Sequence, residues 1–145
     1  MEPQNYKNHV RYYAPHHFVL YPLALAMGIF SFYCSFKFPE QQVLWWFLTA
    51  LMCFLVFMAF MMRQHYGLIN QNRTVRLEVR FRYYVLTNTR FEAFENQLTN
   101  GQIYALRFAS DAELPSLVQR ALAEKLSPQE IKQAIVNWLP DHIRV

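Results

Sequence analysis

The sequence predicts an all-α membrane protein: a two-helix transmembrane hairpin, then a long juxtamembrane helix and a small cytoplasmic helical domain. Three observations carry this expectation. Val43 to Met62 is a run of twenty residues without a charge, and a second uncharged run, Phe18 to Phe36, precedes it. At about 1.5 Å per residue the longer run covers roughly 30 Å as a helix, the thickness of a bilayer's hydrocarbon core. Six arginines fall between Arg63 and Arg90, directly after the second run. Beyond them, four Ser or Thr residues each precede a Glu or Gln by three positions, the spacing of a helix-capping box.

The first segment, residues 1–17, is polar and aromatic and is expected on the cytoplasmic side. The hairpin occupies residues 18–62, with spans at 18–36 and 43–62 and only Lys37 to Gln42 between them. A signal peptide is the competing reading of the first span. No small-x-small cleavage pattern follows it before Lys37, and Phe32-Tyr33 precede Cys34 where lipoprotein processing needs small residues. Tyr12, Tyr13 and Tyr66 fall near one expected interface and Trp45 and Trp46 near the other, as amphipathic rings prefer. Ala24, Gly28, Ser31 and Ser35 form a small-residue stripe on span one that allows close packing on span two.

Charge sets the expected orientation. The net charge of +4 is unevenly spread: residues 1–62 carry +1, residues 63–90 carry +5 and residues 91–145 carry −2. Positive charge marks the cytoplasmic flank of a span, and the turn offers only Lys37 against the arginine block. Both termini are therefore expected in the cytoplasm of a multi-pass protein. Arg63, Arg73, Arg76, Arg80 and Arg82 are expected to meet anionic lipid headgroups, at about 1 kcal/mol per charge near the surface.

The juxtamembrane stretch, residues 63–88, contains one ambiguity. Val75 to Arg82 alternates apolar and polar residues strictly, which read locally is a half-buried strand. A strand needs a partner for its backbone and no other run alternates, so the stretch is read as helix continuing through Tyr84. On that reading Glu78 and Arg82 form an i, i+4 pair and Leu77, Phe81 and Tyr84 share a face.

Residues 89–145 are expected to form short helices opened by four capping boxes: Thr89 with Glu92, Thr99 with Gln102, Ser110 with Glu113, and Ser127 with Glu130. Apolar stripes follow. They are Phe91, Phe94 and Leu98; Ile103 and Leu106; Leu114, Leu117, Val118, Ala121, Leu122 and Leu126; and Ile131, Ile135, Trp138 and Leu139, stopped by Pro140. This unit is near the lower size limit for an independent core.

Gln4-Asn5-Tyr6-Lys7-Asn8-His9, Arg11-Tyr12-Tyr13, Pro15-His16-His17, Ala105-Leu106-Arg107-Phe108-Ala109-Ser110-Asp111, Glu113-Leu114-Pro115 and Leu126-Ser127-Pro128-Gln129-Glu130-Ile131-Lys132 resemble an uncharacterised bacterial family of small two-span membrane proteins, a domain of unknown function. The resemblance covers most of the chain. It implies a bacterial inner-membrane protein with a helical cytoplasmic tail, and it carries no active site to transfer.

No catalytic motif and no paired metal-ligand spacing occurs in the sequence, and Cys34 and Cys53 are expected too far apart in depth for a disulfide. The expected function is that of a non-enzymatic accessory or scaffold subunit docking a larger membrane complex through its cytoplasmic helices. Its expected partners are membrane lipids and a protein partner or second copy, without nucleic acid, cofactor, metal or small-molecule substrate. A homo-oligomeric two-span channel is the alternative. A haem protein using His16, His17 and His65 is a further one.

Overall fold

The computed structural model describes residues 4–9 and 12–141. The described residues are helical apart from turns, extended links and one isolated antiparallel bridge, Ala109 to Trp138. They fall into two compact units, one formed by residues 12–69 and the other by residues 4–9 together with 70–141.

In the first unit a π-helical turn, Pro15–Leu20, leads into α1 (Tyr21–Lys37). The wide turn has a local cause: Tyr21 N–H donates to His16 O, five residues back, and Pro22 has no N–H with which to form the usual four-residue bond. Phe38 N–H closes α1 on Cys34 O at 2.9 Å, a 3₁₀ turn spans Pro39–Gln41, and α2 (Gln42–Met61) follows. A second π-helical turn, Met62–Gly67, comes after it.

α1 and α2 pack on each other through the small-residue stripe. Ser31 and Ser35 are buried with Cys34, and a Cβ at Gly28 would sit 3.6 Å from Met52 Cβ. Around the turn, Phe30 and Phe38 contact Trp45 while Phe32 and Phe36 contact Trp46. Nearly everything else in the hairpin faces outward. The helices Pro15–Lys37 and Pro39–Thr87 are long and apolar enough to cross a membrane. The most apolar 18-residue window of the second has no buried residue.

The second unit is built on α3 (Leu68–Thr87), of which the residues from Asn70 onward belong to it. The alternating stretch Val75 to Arg82 is thus helical. Val75, Val79 and Tyr83 are buried, so the inward face repeats every four residues where a strand would bury every second one. Asn88, at φ 53°, ends α3 in the left-handed region that Asn tolerates. α4 (Glu92–Glu95), α5 (Asn100–Leu106), α6 (Leu114–Glu124) and α7 (Pro128–Ala134) complete the unit. Their core joins Val79 and Tyr83 to Phe91, Ile103, Leu106, Phe108, Leu114, Val118 and Ile131, with Leu122, Leu126 and Trp138 partly buried against it. At Gly101 a Cβ would lie 3.0 Å from Pro128 Cγ, so α5 and α7 approach at a point where only a hydrogen fits comfortably.

Two of the four expected capping boxes form. Thr99 accepts from Gln102 N–H and Gln102 Oε1 accepts from Thr99 N–H; Ser127 and Glu130 do the same. The other two do not. Thr89 turns its hydroxyl to Thr87 O and α4 starts from Phe91 without a side-chain cap. Ser110 fails because its glutamate is engaged elsewhere: Glu113 accepts from both the backbone and side-chain N–H groups of Asn137, and α6 starts only after Glu113. The last helix is also shorter than its stripe suggests. α7 stops at Ala134, and the chain leaves the helix through an extended Ile135 and a bend at Val136 and Asn137, because Ser110 N–H donates to Asn137 O and Leu139 N–H to Phe108 O.

Candidate functional site

The arginine face of α3 is the most charged constellation in the described chain, and most of it points into its own unit. Glu95 is 6% exposed and lies between two guanidinium groups. Arg80 reaches its Oε2 through Nε at 2.8 Å and Nη2 at 2.6 Å, while Arg76 Nη1 stands 2.8 Å from Oε1 as a charge contact without hydrogen-bond alignment. Arg76 also donates to Asn100 Oδ1. A carboxylate this buried needs such partners, since an uncompensated charge there is strongly disfavoured.

Arg82 does a different job. Its Nη1 donates to Arg107 O at 2.9 Å and its Nη2 to Ala109 O at 2.6 Å, while Nε and Nη2 both reach Asp111 Oδ1. The planar fork satisfies the carbonyls of the link after α5, which a lysine's single nitrogen cannot match. Glu78, the expected i, i+4 partner of Arg82, stands 3.8 Å away.

The N-terminal segment completes this unit. Gln4 Oε1 accepts from Asp141 N–H at 2.7 Å, and His9 packs its ring against Phe108 and Trp138. Lys132 Nζ lies 3.1 Å from His9 Nε2, and His9 Nδ1 lies 2.7 Å from Tyr6 O. Lysine has only protons to give, so Nε2 accepts and Nδ1 carries the hydrogen donated to Tyr6. Arg107 and Asp141 form an ion pair beside this cluster.

In the hairpin unit, an open groove of about 600 Å³ has Tyr21, Gly28, Phe32, Met52, Cys53 and Phe60 among its walls. A second of about 460 Å³ is lined by Met27, Met52, Leu55 and Met58 among others. Thr49 turns its hydroxyl back to Trp45 O, so the first groove's wall is apolar there too. His16 Nε2 pairs with the Tyr21 hydroxyl at 2.9 Å, His17 Nδ1 lies 3.1 Å from Tyr13 O, and His65 stacks edge-on with Tyr66. Among the described residues no group of three or more His, Cys, Asp or Glu side chains is placed to hold a metal ion.

A family model described as a family of unknown function, DUF6526, matches residues 1–145. The chain belongs to that family. No curated protein and no solved structure matches it.

In this DUF6526 chain the residues singled out from sequence are distributed as follows. Ala24, Gly28, Ser31 and Ser35 all lie on α1, the two serines buried and the other two half-buried. Arg76, Arg80 and Arg82 have their guanidinium groups in ion pairs within the second unit, whereas Arg63 and Arg73 have no ion pair among the described residues. Glu95 and Asn100 are absent from the sequence reading, and His9 and Asp111 enter it only within the motifs that carry the family resemblance. The sequence signal for Glu95 was indirect: an acid among Phe91, Phe94 and Leu98, three apolar residues whose face it shares.

Proposed function

We propose that this chain is a non-enzymatic membrane protein whose hairpin crosses a bacterial inner membrane with both termini in the cytoplasm, and whose second unit docks a larger membrane complex as an accessory or scaffold subunit. The observation that carries the reading is the outward-facing apolar surface of the hairpin. A core helix of a soluble protein hides such a surface, whereas here the most apolar window of the second long helix has no buried residue. A bilayer covers that surface at no cost in unsatisfied backbone, because the helices bond internally. The +5 charge of residues 63–90 supports the orientation.

The docking role rests on how the second unit uses its chemistry. Its best-placed ionisable groups, Glu95, Asp111, Glu113 and Asp141, are engaged in ion pairs or backbone hydrogen bonds that hold the unit together. That leaves shape and surface as what it offers. Of the five arginines expected at headgroups, Arg76, Arg80 and Arg82 are occupied, which leaves Arg63 for that contact and Arg73 without an ion pair among the described residues.

Topology is tested with a reporter active only outside the cytoplasm. It should work when inserted between Pro39 and Glu40 and stay silent when fused after Val145. Activity at Val145 would refute the orientation. For the docking role, the tagged full chain purified from its native membrane in mild detergent should carry a stoichiometric larger assembly, and recovery of the chain by itself would refute it.

A further inference from the structure

α3 buries one face in its own unit and leaves the opposite face bare. Leu77 is 65% exposed, Phe81 66%, Tyr84 48% and Val85 63%. On a helix of 3.6 residues per turn these side chains form one stripe, about half a turn away from buried Val75, Val79 and Tyr83. The unit itself therefore cannot cover them.

The stripe has a register. Asn70, Thr74, Leu77, Phe81 and Tyr84 alternate spacings of four and three, which are the d and a positions of a heptad repeat, and all five are accessible. The flanks agree with that register. Arg73 and Arg80 occupy g positions along one edge of the stripe, and Glu78 an e position along the other. In a parallel pair of helices, a g residue faces the e residue five positions further along the partner helix. Arg73 and Glu78 are five apart. Arg73 is exposed and Glu78 has a 38% exposed side chain; among the described residues Arg73 has no ion pair and Glu78 reaches only Arg82, at 3.8 Å.

We infer that α3 is the seam of a parallel homodimer, in which Leu77, Phe81 and Tyr84 pack on the same residues of a second copy and Arg73 of each chain pairs with Glu78 of the other. The parallel sense rests on the flanking charges, because in an antiparallel pair g faces g and e faces e, which would set the arginines of one copy against those of the other; the membrane reading above adds that both copies are inserted with one orientation. The four apolar residues would bury roughly 400–500 Å² per copy, below the approximately 800 Å² typical of a freely associating pair. The seam is therefore matched to chains already confined in one membrane, where high effective concentration replaces area. Asn70 and Thr74 close its N-terminal end with polar layers that oppose a shift in register.

The test uses the full chain in membranes, carrying Cys34→Ala and Cys53→Ala. Under mild oxidation Leu77→Cys and Phe81→Cys should give disulfide dimers about tenfold faster than Val136→Cys, whose site is 81% exposed on the same unit but off the stripe. In the Leu77→Cys background, Arg73→Glu and Glu78→Arg should each slow dimer formation about fivefold, and the two together should restore it. Circular dichroism of each variant checks that helix content is kept.

Leu77→Cys crosslinking no faster than Val136→Cys would overturn the seam, as it would if the stripe met lipid or an unlike partner. Failure of the double charge swap to restore the rate would overturn the Arg73–Glu78 pairing. So would loss of binding to anionic vesicles in Arg73→Glu with crosslinking unchanged, which assigns that arginine to headgroups. An alkaline carbonate wash reads the membrane assignment separately. Chains that wash off yet crosslink refute the membrane and keep the seam, and chains that resist the wash without crosslinking do the reverse.

Discussion

Arg80 holds Glu95 by two nitrogens on one carboxylate oxygen, Nε at 2.8 Å and Nη2 at 2.6 Å, across fifteen residues of sequence. With Arg76 on the other oxygen, this places a buried carboxylate from α4 against the charged side of α3. The second unit is thereby assembled around α3, and α3 is as much a part of its core as the helices that follow.

Removing Glu95 should expose that dependence. Glu95→Ala leaves two arginines facing a vacated site, and breaking a buried pair costs about 3–5 kcal/mol when both charges are fully enclosed. Here the arginines are about one-third exposed, and water recovers part of the loss, so we expect about 2 kcal/mol. Glu95→Gln keeps an acceptor and should cost about 1 kcal/mol. Urea unfolding of the full chain in mild detergent, followed by circular dichroism, checks both values. A loss below about 0.5 kcal/mol for the alanine variant would show that the clamp is dispensable.

The two serines with capping-box spacing should behave oppositely. Ser127 accepts from Glu130 N–H, so Ser127→Ala removes a real cap and should cost about 1 kcal/mol. Ser110 Oγ is buried without a hydrogen-bond partner among the described residues, so Ser110→Ala removes a desolvated hydroxyl that bonds nothing. We expect Ser110→Ala to be neutral or stabilising by a few tenths of a kcal/mol. Equal losses at the two positions would contradict this account.

Local chemistry was legible in the sequence and long-range pairing was not. The uncharged runs, the turn from Lys37 to Gln42, and the caps at Thr99 and Ser127 involve residues a few positions apart, so a periodic pattern or a spacing reveals them. Val75 to Arg82 was resolved as helix by asking where a strand would find a partner. Glu95 between Arg76 and Arg80, Arg82 on the carbonyls of residues 107 and 109, and His9 on Phe108 and Trp138 depend on the folded topology. The same distant contacts explain the misread positions. Asn137 captured the carboxylate that a cap at Ser110 needed, and pairing with residues 108–110 pulled residues 135–139 out of α7.

Acid should weaken the start of α7. Hydrogen bonds from the Ser127 side chain and then its backbone hold the Glu130 carboxyl below the ordinary glutamate range. A group with a depressed folded value contributes stability above its unfolded value and loses it as pH falls through the folded one. As pH falls from neutral through that depressed midpoint the chain should therefore lose stability at Glu130, and Ser127→Ala should flatten that part of the profile. Carbon-detected NMR titration of Glu130 reads the shift directly. An unchanged midpoint in Ser127→Ala would show that the cap does not set it.

The boundary of the folding unit gives the last test. A cut before Thr89 follows the sequence pattern, since all four capping-box spacings lie beyond it. It removes Val79 and Tyr83 from the core, the Gln119 bond to the Tyr83 hydroxyl, and every arginine that holds Glu95 and Asp111. The exposed apolar area left on Phe91 and Phe94, which Tyr83 covers, and the unpaired buried Glu95 together exceed the margin of so small a core. A fragment of residues 70–145 should unfold in urea as one cooperative transition. A fragment of residues 89–145 should retain partial helix from its two real caps but melt without cooperativity, because isolated short helices are marginal in water. If the shorter fragment unfolded as sharply as the longer one, α3 would be a linker to the unit rather than its central helix, and the reading of its arginines as structural ties would fail with it.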